Sequence, residues 1–264
     1  MLTKSFIKPH KSRLSAGLCA LAMVAAIPAM AAPVTFAQYI QLNGAQQQWN
    51  VVTSANTTTV TASGAVLFSF SGVSGLPFAG PENAMFTLQA TSTSAGNCGV
   101  NCGPGDSLVQ AGYSGMFSFT DMGSAFGANL LSGTFTVTGT PSTTGAQFSS
   151  HMGSSGASFN ASSTAGNLNQ LILSSAYLNF NNQTQENSSW SISSFQPNFA
   201  TGVVTNGTAF PAAGPFNGSG TGTFSSNPGP TATPEPATFA LLGSAMIAIP
   251  WMVRRRRKSK IVDM

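Results

Sequence analysis

Basic residues are missing from most of this 264-residue chain. Ten Lys and Arg are present, and all of them fall within residues 4–13 or 254–260. Residues 33–233 carry four carboxylates, Glu82, Asp106, Asp121 and Glu186, and one histidine, His151. The whole chain is formally +4, but residues 33–233 are −4, with four acids and no Lys or Arg. A surface without cations cannot neutralise phosphates, which excludes nucleic acid as a partner of this region.

Cysteine is scarce too. Of three, Cys19 sits in the N-terminal leader, leaving Cys98 and Cys102. Two thiols at this spacing, with no second Cys/His pair, do not make a zinc site, and the spacing is not that of a redox C-x-x-C pair. In an exported chain the two are expected to pair with each other.

Catalytic patterns are thin. No G-x-S-x-G elbow accompanies His151, although a Ser-His-acid triad can be drawn with Asp106 or Asp121. Glu82 and Asp106 flank loops, and nothing in the sequence brings two carboxylates to a glycosidase separation. No D-x-D-x-D-G calcium loop occurs. The expectation is a non-enzyme without metal or cofactor.

What is present is alternation. Residues 65–70 (AVLFSF), 84–89 (AMFTLQ), 115–120 (GMFSFT), 133–138 (GTFTVT) and 190–193 (WSIS) switch between apolar and polar at period two, the pattern of half-buried strands. Turn signals separate them at Ser71-Gly72, Gly80-Pro81, Gly103-Pro104-Gly105, Gly139-Thr140-Pro141, Asn206-Gly207 and Asn217-Gly218. No stretch has a convincing helical period. The nearest, 167–180 (NLNQLILSSAYLNF), fits a strand with an irregularity about as well. The expected fold is all-β: one sandwich-like domain over 33–206 with the Phe residues, Trp49 and Trp190 in its core. Residues 207–233, mostly Gly, Pro, Ser, Thr and Asn, read as a linker. Tyr39, Tyr113, Tyr177 and the two Trp are candidates for stacking on sugars, with core packing the stronger reading.

Both ends carry addresses. Lys4, Lys8, Lys11 and Arg13 precede an apolar stretch over 14–27 and an A-x-A site at Ala29-Met30-Ala31. That order is a signal peptide over 1–31, handled by the Sec machinery and signal peptidase. At the other end stand Pro234-Glu235-Pro236, an uncharged run over 237–253, and Arg254, Arg255, Arg256, Arg257 and Lys258. Seventeen uncharged residues reach the lower limit for crossing a bilayer. The basic cluster holds the end in the cytoplasm as a stop-transfer signal, leaving everything before Pro234 outside.

This three-part tail, over 234–258, resembles the PEP-CTERM sorting signal of Gram-negative bacteria. The resemblance covers about a tenth of the chain. It implies a precursor anchored in the inner membrane, processed near the motif by exosortase, a membrane-embedded cysteine peptidase, and then a place at the cell surface or in the extracellular matrix. Pro234, Glu235 and Pro236 would be what that peptidase recognises. It also implies a link to exopolysaccharide and biofilm. The expected function is a structural, adhesive or exopolysaccharide-associated surface protein. An ice- or crystal-surface binder, using Thr57 to Thr61 and Thr134, Thr136 and Thr138, is the alternative, and a secreted hydrolase is weaker still.

Overall fold

The computed structural model describes residues 32–233, apart from 45, 79, 100, 124–126, 138–144, 164–169, 203–206 and 212–215. The signal peptide with Ala29 and Ala31, and the tail with its Pro-Glu-Pro motif, apolar run and basic cluster, lie outside the described residues. Among the described residues there is no helix, and so none long and apolar enough to cross a membrane.

Fifteen strands follow one another. They are β1 (Val34–Gln41), β2 (Trp49–Ser54), β3 (Thr57–Phe70), β4 (Glu82–Ser92), β5 (Gly96–Asn97), β6 (Ser107–Asp121), β7 (Asn129–Phe135) and β8 (Ala146–His151). Then come β9 (Ala157–Ser163), β10 (Leu171–Ser174), β11 (Leu178–Asn179), β12 (Gln185–Gln196), β13 (Thr208–Ala209), β14 (Phe216–Asn227) and β15 (Thr231–Ala232). The alternation in the sequence is also the alternation in burial: from Asn83 to Ser92, β4 switches between exposed and buried at every step. Such a strand buries one face, so each must find a common core with its neighbours.

The solution is a closed ring. β1 pairs with β3, β3 with β4, β4 with β6, β6 with β8, β8 with β9, β9 with β12 and β12 with β14, all antiparallel. β14 then pairs with β1 over Val34 to Ile40 and closes an eight-stranded, up-and-down barrel. This corrects the expected sandwich: a single sheet wraps onto itself. Alternation tells which residues face inward, but not whether the last strand finds the first.

Two lanes of the ring are each made of two half-strands. β1 takes the half of β3 near Phe70 and β2 the half near Thr57, and both also pair with β14. Between them the chain leaves the sheet at 42–48. Four lanes on, β7 and β8 divide β6 in the same way. The extra strand β10 pairs with the edge of β7 away from β6 and turns Leu171 and Leu173 into the core. An even-numbered meander returns the chain to the rim it left. Val34, Phe70, Glu82, Asp121, Gln185 and Asn227 stand at this root rim, and Thr57, Ser107, His151 and Phe216 stand at the far rim.

The barrel is filled. Trp49, Trp190, Tyr39, Tyr113, Phe86, Phe119 and Phe159 are each at most 1% exposed. Ring centroids of Phe86 and Phe119 are 4.7 Å apart, of Tyr39 and Phe86 4.9 Å, and of Phe159 and Trp190 5.5 Å. Room for this bulk comes from β14, where Gly218, Gly220 and Gly222 face inward. A Cβ on Gly220 would lie 2.4 Å from Trp49 Nε1, and one on Gly222 2.5 Å from Tyr39 Cε1. The linker expectation for 207–233 is therefore also corrected, since most of it is β13, β14 and β15. Asn217-Gly218 is not a turn but a rung of the wall, with Asn217 opposite Asn50 on β2 and Gln196 on β12.

Candidate functional site

With the aromatics inside, the outer wall is mostly polar side chains, with Met85, Met116 and Ile172 among the exposed exceptions. Gln147, Asn160, Ser189, Thr223 and Gln38 stand in one row across β8, β9, β12, β14 and β1. Ser149, Ser158, Ser191, Thr221 and Ile40 form the next. Neighbours bond sideways: Ser189 Oγ donates to Asn160 Oδ1 at 2.6 Å, and Thr87 and Ser118 share a hydroxyl bond of 2.8 Å. These rows carry no charge.

Beside the excursion at 42–48 the wall is dented. Residues of β1, β12 and β14 line a hollow of about 370 Å³, including Ile40, Gln41, Ser191, Ser193, Ser194 and Thr221. Its rim is braced. Gln41 Oε1 accepts the Gly220 N–H at 3.1 Å, its Nε2 donates to Asn43 O and Gln46 O, and Ser219 Oγ donates to Gly44 O at 2.8 Å. Ser194 holds φ +58°, where the β12–β14 register shifts between Ser193 and Gln196. A non-glycine residue in that region is strained by about 1 kcal/mol or more. Ile40, 54% exposed, supplies an apolar spot among the hydroxyls. The serines were not singled out in the sequence because serine is everywhere in this chain. The only local signal was the run Ser191-Ile192-Ser193-Ser194 on an alternating strand.

The ionisable groups lie elsewhere. At the far rim Ser107 Oγ and His151 Nδ1 are 2.9 Å apart, both exposed. Asp106 does not complete a triad there; its Oδ2 accepts the Gly103 N–H at 2.8 Å and so ties down the cysteine loop. Asp121 is at the root rim, where Oδ1 accepts the Gly123 N–H at 2.7 Å. It shares a hollow of about 400 Å³ with Glu82. The sequence suggested no such meeting of Glu82 with another acid. Among the described residues no three of His, Cys, Asp and Glu come together. Cys98 and Cys102 have Cα atoms 5.4 Å apart, inside the range a disulfide spans.

Glu186 is the fourth acid, and sequence reasoning assigned it nothing. It is 5% exposed at the head of β12, and Oε2 accepts the Leu173 N–H of β10 at 3.1 Å. Among the described residues β10 has no strand partner on that side, so this carboxylate closes the seam that the extra strand opens. Burial pushes its pKa up to about 7, against the lowering effect of the Leu173 bond.

The aromatics proposed for sugar stacking are not at the surface. Tyr39, Trp49, Tyr113 and Trp190 are core, and half-buried Tyr177 packs edge-on to Phe78 at 4.6 Å. Thr61 and Thr134 face outward on lanes separated by Gln89 and Met116, so the threonines of the alternative reading are interrupted across a curved wall. Thr138 lies outside the described residues.

No curated protein and no solved structure matches the chain. A family model does match its end: residues 232–257 fit the PEP-CTERM protein-sorting motif. The match implies an exported protein whose membrane-anchored precursor is handled by exosortase and delivered to the cell surface, and it makes the tail of this chain a PEP-CTERM sorting motif.

Proposed function

We propose that this is a non-catalytic surface or matrix protein whose barrel wall makes many weak contacts with neutral glycans. The observation that carries the reading is the uncharged wall of Ser, Thr, Asn and Gln rows with the braced hollow beside 42–48. A hydroxyl or amide both donates and accepts, as a sugar hydroxyl does, and Ile40 offers an apolar spot for the C–H face of a ring. The solid interior supports the same reading, because it leaves only the outside for binding. Ser107 and His151 contribute no catalysis, since both carboxylates that could orient the imidazole are engaged elsewhere. Cys98 and Cys102 form a disulfide that pins the far-rim loop.

Among the described residues all strand pairings lie between Val34 and Ala232, so residues 33–233 carry the eight lanes of the barrel. The test is retention of this domain on the exopolysaccharide of its host at low and high salt. Retention is expected at both, because there are no Lys or Arg side chains to be screened. Ser191→Leu with Thr221→Leu is expected to reduce it and His151→Ala to leave it unchanged. No retention at either salt removes glycan binding and leaves a passive structural role. An esterase or glycosidase activity that falls in His151→Ala overturns the non-enzymatic reading.

A further inference from the structure

The last anchored residue of the barrel and the first residue of the sorting motif are neighbours. β15 pairs with β11, Leu178 opposite Ala232 and Asn179 opposite Thr231. The Thr233 N–H donates to Tyr177 O at 2.7 Å. Just upstream, the Thr184 N–H and Oγ1 both donate to Asn227 O, at 2.7 and 2.9 Å, and Ser226 Oγ donates to Pro228 O at 2.9 Å. Pro234 follows at once, and the uncharged run begins at Ala237. The three residues between span at most about 11 Å when fully extended.

That root is a poor substrate as it stands. Extended peptides are commonly gripped through main-chain hydrogen bonds on both sides of the segment that is read. Within Pro-Glu-Pro only Glu235 has an N–H to offer. The nearest upstream main chain is that of Thr231, Ala232 and Thr233, and one edge of it is already committed to β11 and Tyr177.

We propose that β15 is a clasp: it must leave β11 before the membrane peptidase can seat the motif, so the barrel itself governs the rate of its own processing. The proposal rests on the reading that the tail is cut in the exported precursor. A two-residue pair at a rim is built to open more readily than the long strands of the ring, so the clasp can yield while the barrel stays folded.

The test uses the full chain in a host that has the peptidase, with precursor and processed form followed by pulse-chase and intact mass. Asn179→Cys with Thr231→Cys, two exposed partners of the β11–β15 pair, locks the clasp, and peptide mapping identifies the new bond. Processing of the locked precursor is expected to slow at least tenfold and to recover on reduction. A ten-residue Gly/Ser spacer between Thr233 and Pro234 is expected to restore processing with the lock closed, and to speed it several-fold when no cysteines are introduced. A locked precursor processed at the normal rate, or a spacer that changes nothing in either background, overturns the clasp. If the unaltered chain keeps its tail in this host, the processing reading itself fails, which is a distinct outcome.

Discussion

The two halves of the barrel share a plan and fill it differently. Each begins with a lane split into two half-strands and continues through three further lanes. The third lane opens with the same dipeptide in both, Glu82-Asn83 on β4 and Glu186-Asn187 on β12, followed by an inward ring four residues after the Glu, Phe86 or Trp190. The fourth lanes then diverge. β6 points Tyr113, Phe117 and Phe119 inward, whereas β14 points Gly218, Gly220, Gly222 and Phe224 inward. The first half supplies bulk on this lane and the second supplies space, and one closed core needs both. The two acids diverge as well. Glu82 borders an open hollow, while Glu186 is enclosed by the extra strand β10, which exists only in the second half.

Removing bulk should have the largest effect. Phe119 touches Tyr39, Phe68, Phe86 and Phe224, and Phe119→Ala is expected to cost about 4 kcal/mol in denaturant unfolding of residues 33–233. Removing space comes next. Gly222→Val places atoms where Tyr39 Cε1 is 2.5 Å and Trp190 Cδ1 2.8 Å from a Cβ, and about 3 kcal/mol is expected to be lost. If Gly222→Val proves neutral, the division into bulk and space is wrong.

Glu186 gives a smaller effect with a sign. Its folded pKa of about 7 exceeds the ordinary 4.5, so the folded state holds the proton more tightly between those values. The stability it contributes is fully present below about pH 4.5, declines as the pH rises to 7, and then stays level. Allowing for partial solvation, the span is worth roughly 2 kcal/mol. Glu186→Gln keeps an oxygen for the Leu173 N–H and removes the charge. It should therefore be the more stable protein at pH 8, and the difference from the parent should vanish near pH 4. Glu82→Gln, at the matching place in the other half, is expected to change stability by less than about 0.5 kcal/mol; equal slopes for the two variants would erase the contrast.

At the far rim, Cys98→Ser with Cys102→Ser is expected to cost no more than about 2 kcal/mol, because the closed loop is short. Both sulfurs should resist alkylation in unreduced exported protein, and labelling of both would rule out the bond.

Five strands were legible, β3, β4, β6, β7 and β12, and for a physical reason. These strands turn mostly Phe, Leu, Ile, Val, Trp and Ala to the core on one face, so period two was written plainly in 84–89 and 115–120. In the stretch 167–180 it was broken by a turn, and there the structure has β10 and then β11. β14 was misread because composition argued louder than position. Yet Phe216, Gly218, Gly220, Gly222 and Phe224 share one parity, which is how a strand that yields space to its neighbours looks. The hollow beside 42–48 and the seam at Glu186 were not legible. Each depends on which lane meets which, and no local pattern encodes that.

The parity of the ring reaches beyond the barrel. Eight lanes bring Val34 and Asn227 to one rim, and β15 ends there too, so the leader and the sorting tail attach to the same side of a closed cylinder. Both attachment points, at Pro33 and Thr233, therefore belong to the root rim. Either can be cut first, and each cut simply frees a loose end. The far rim, with the cysteine loop and His151, carries neither attachment.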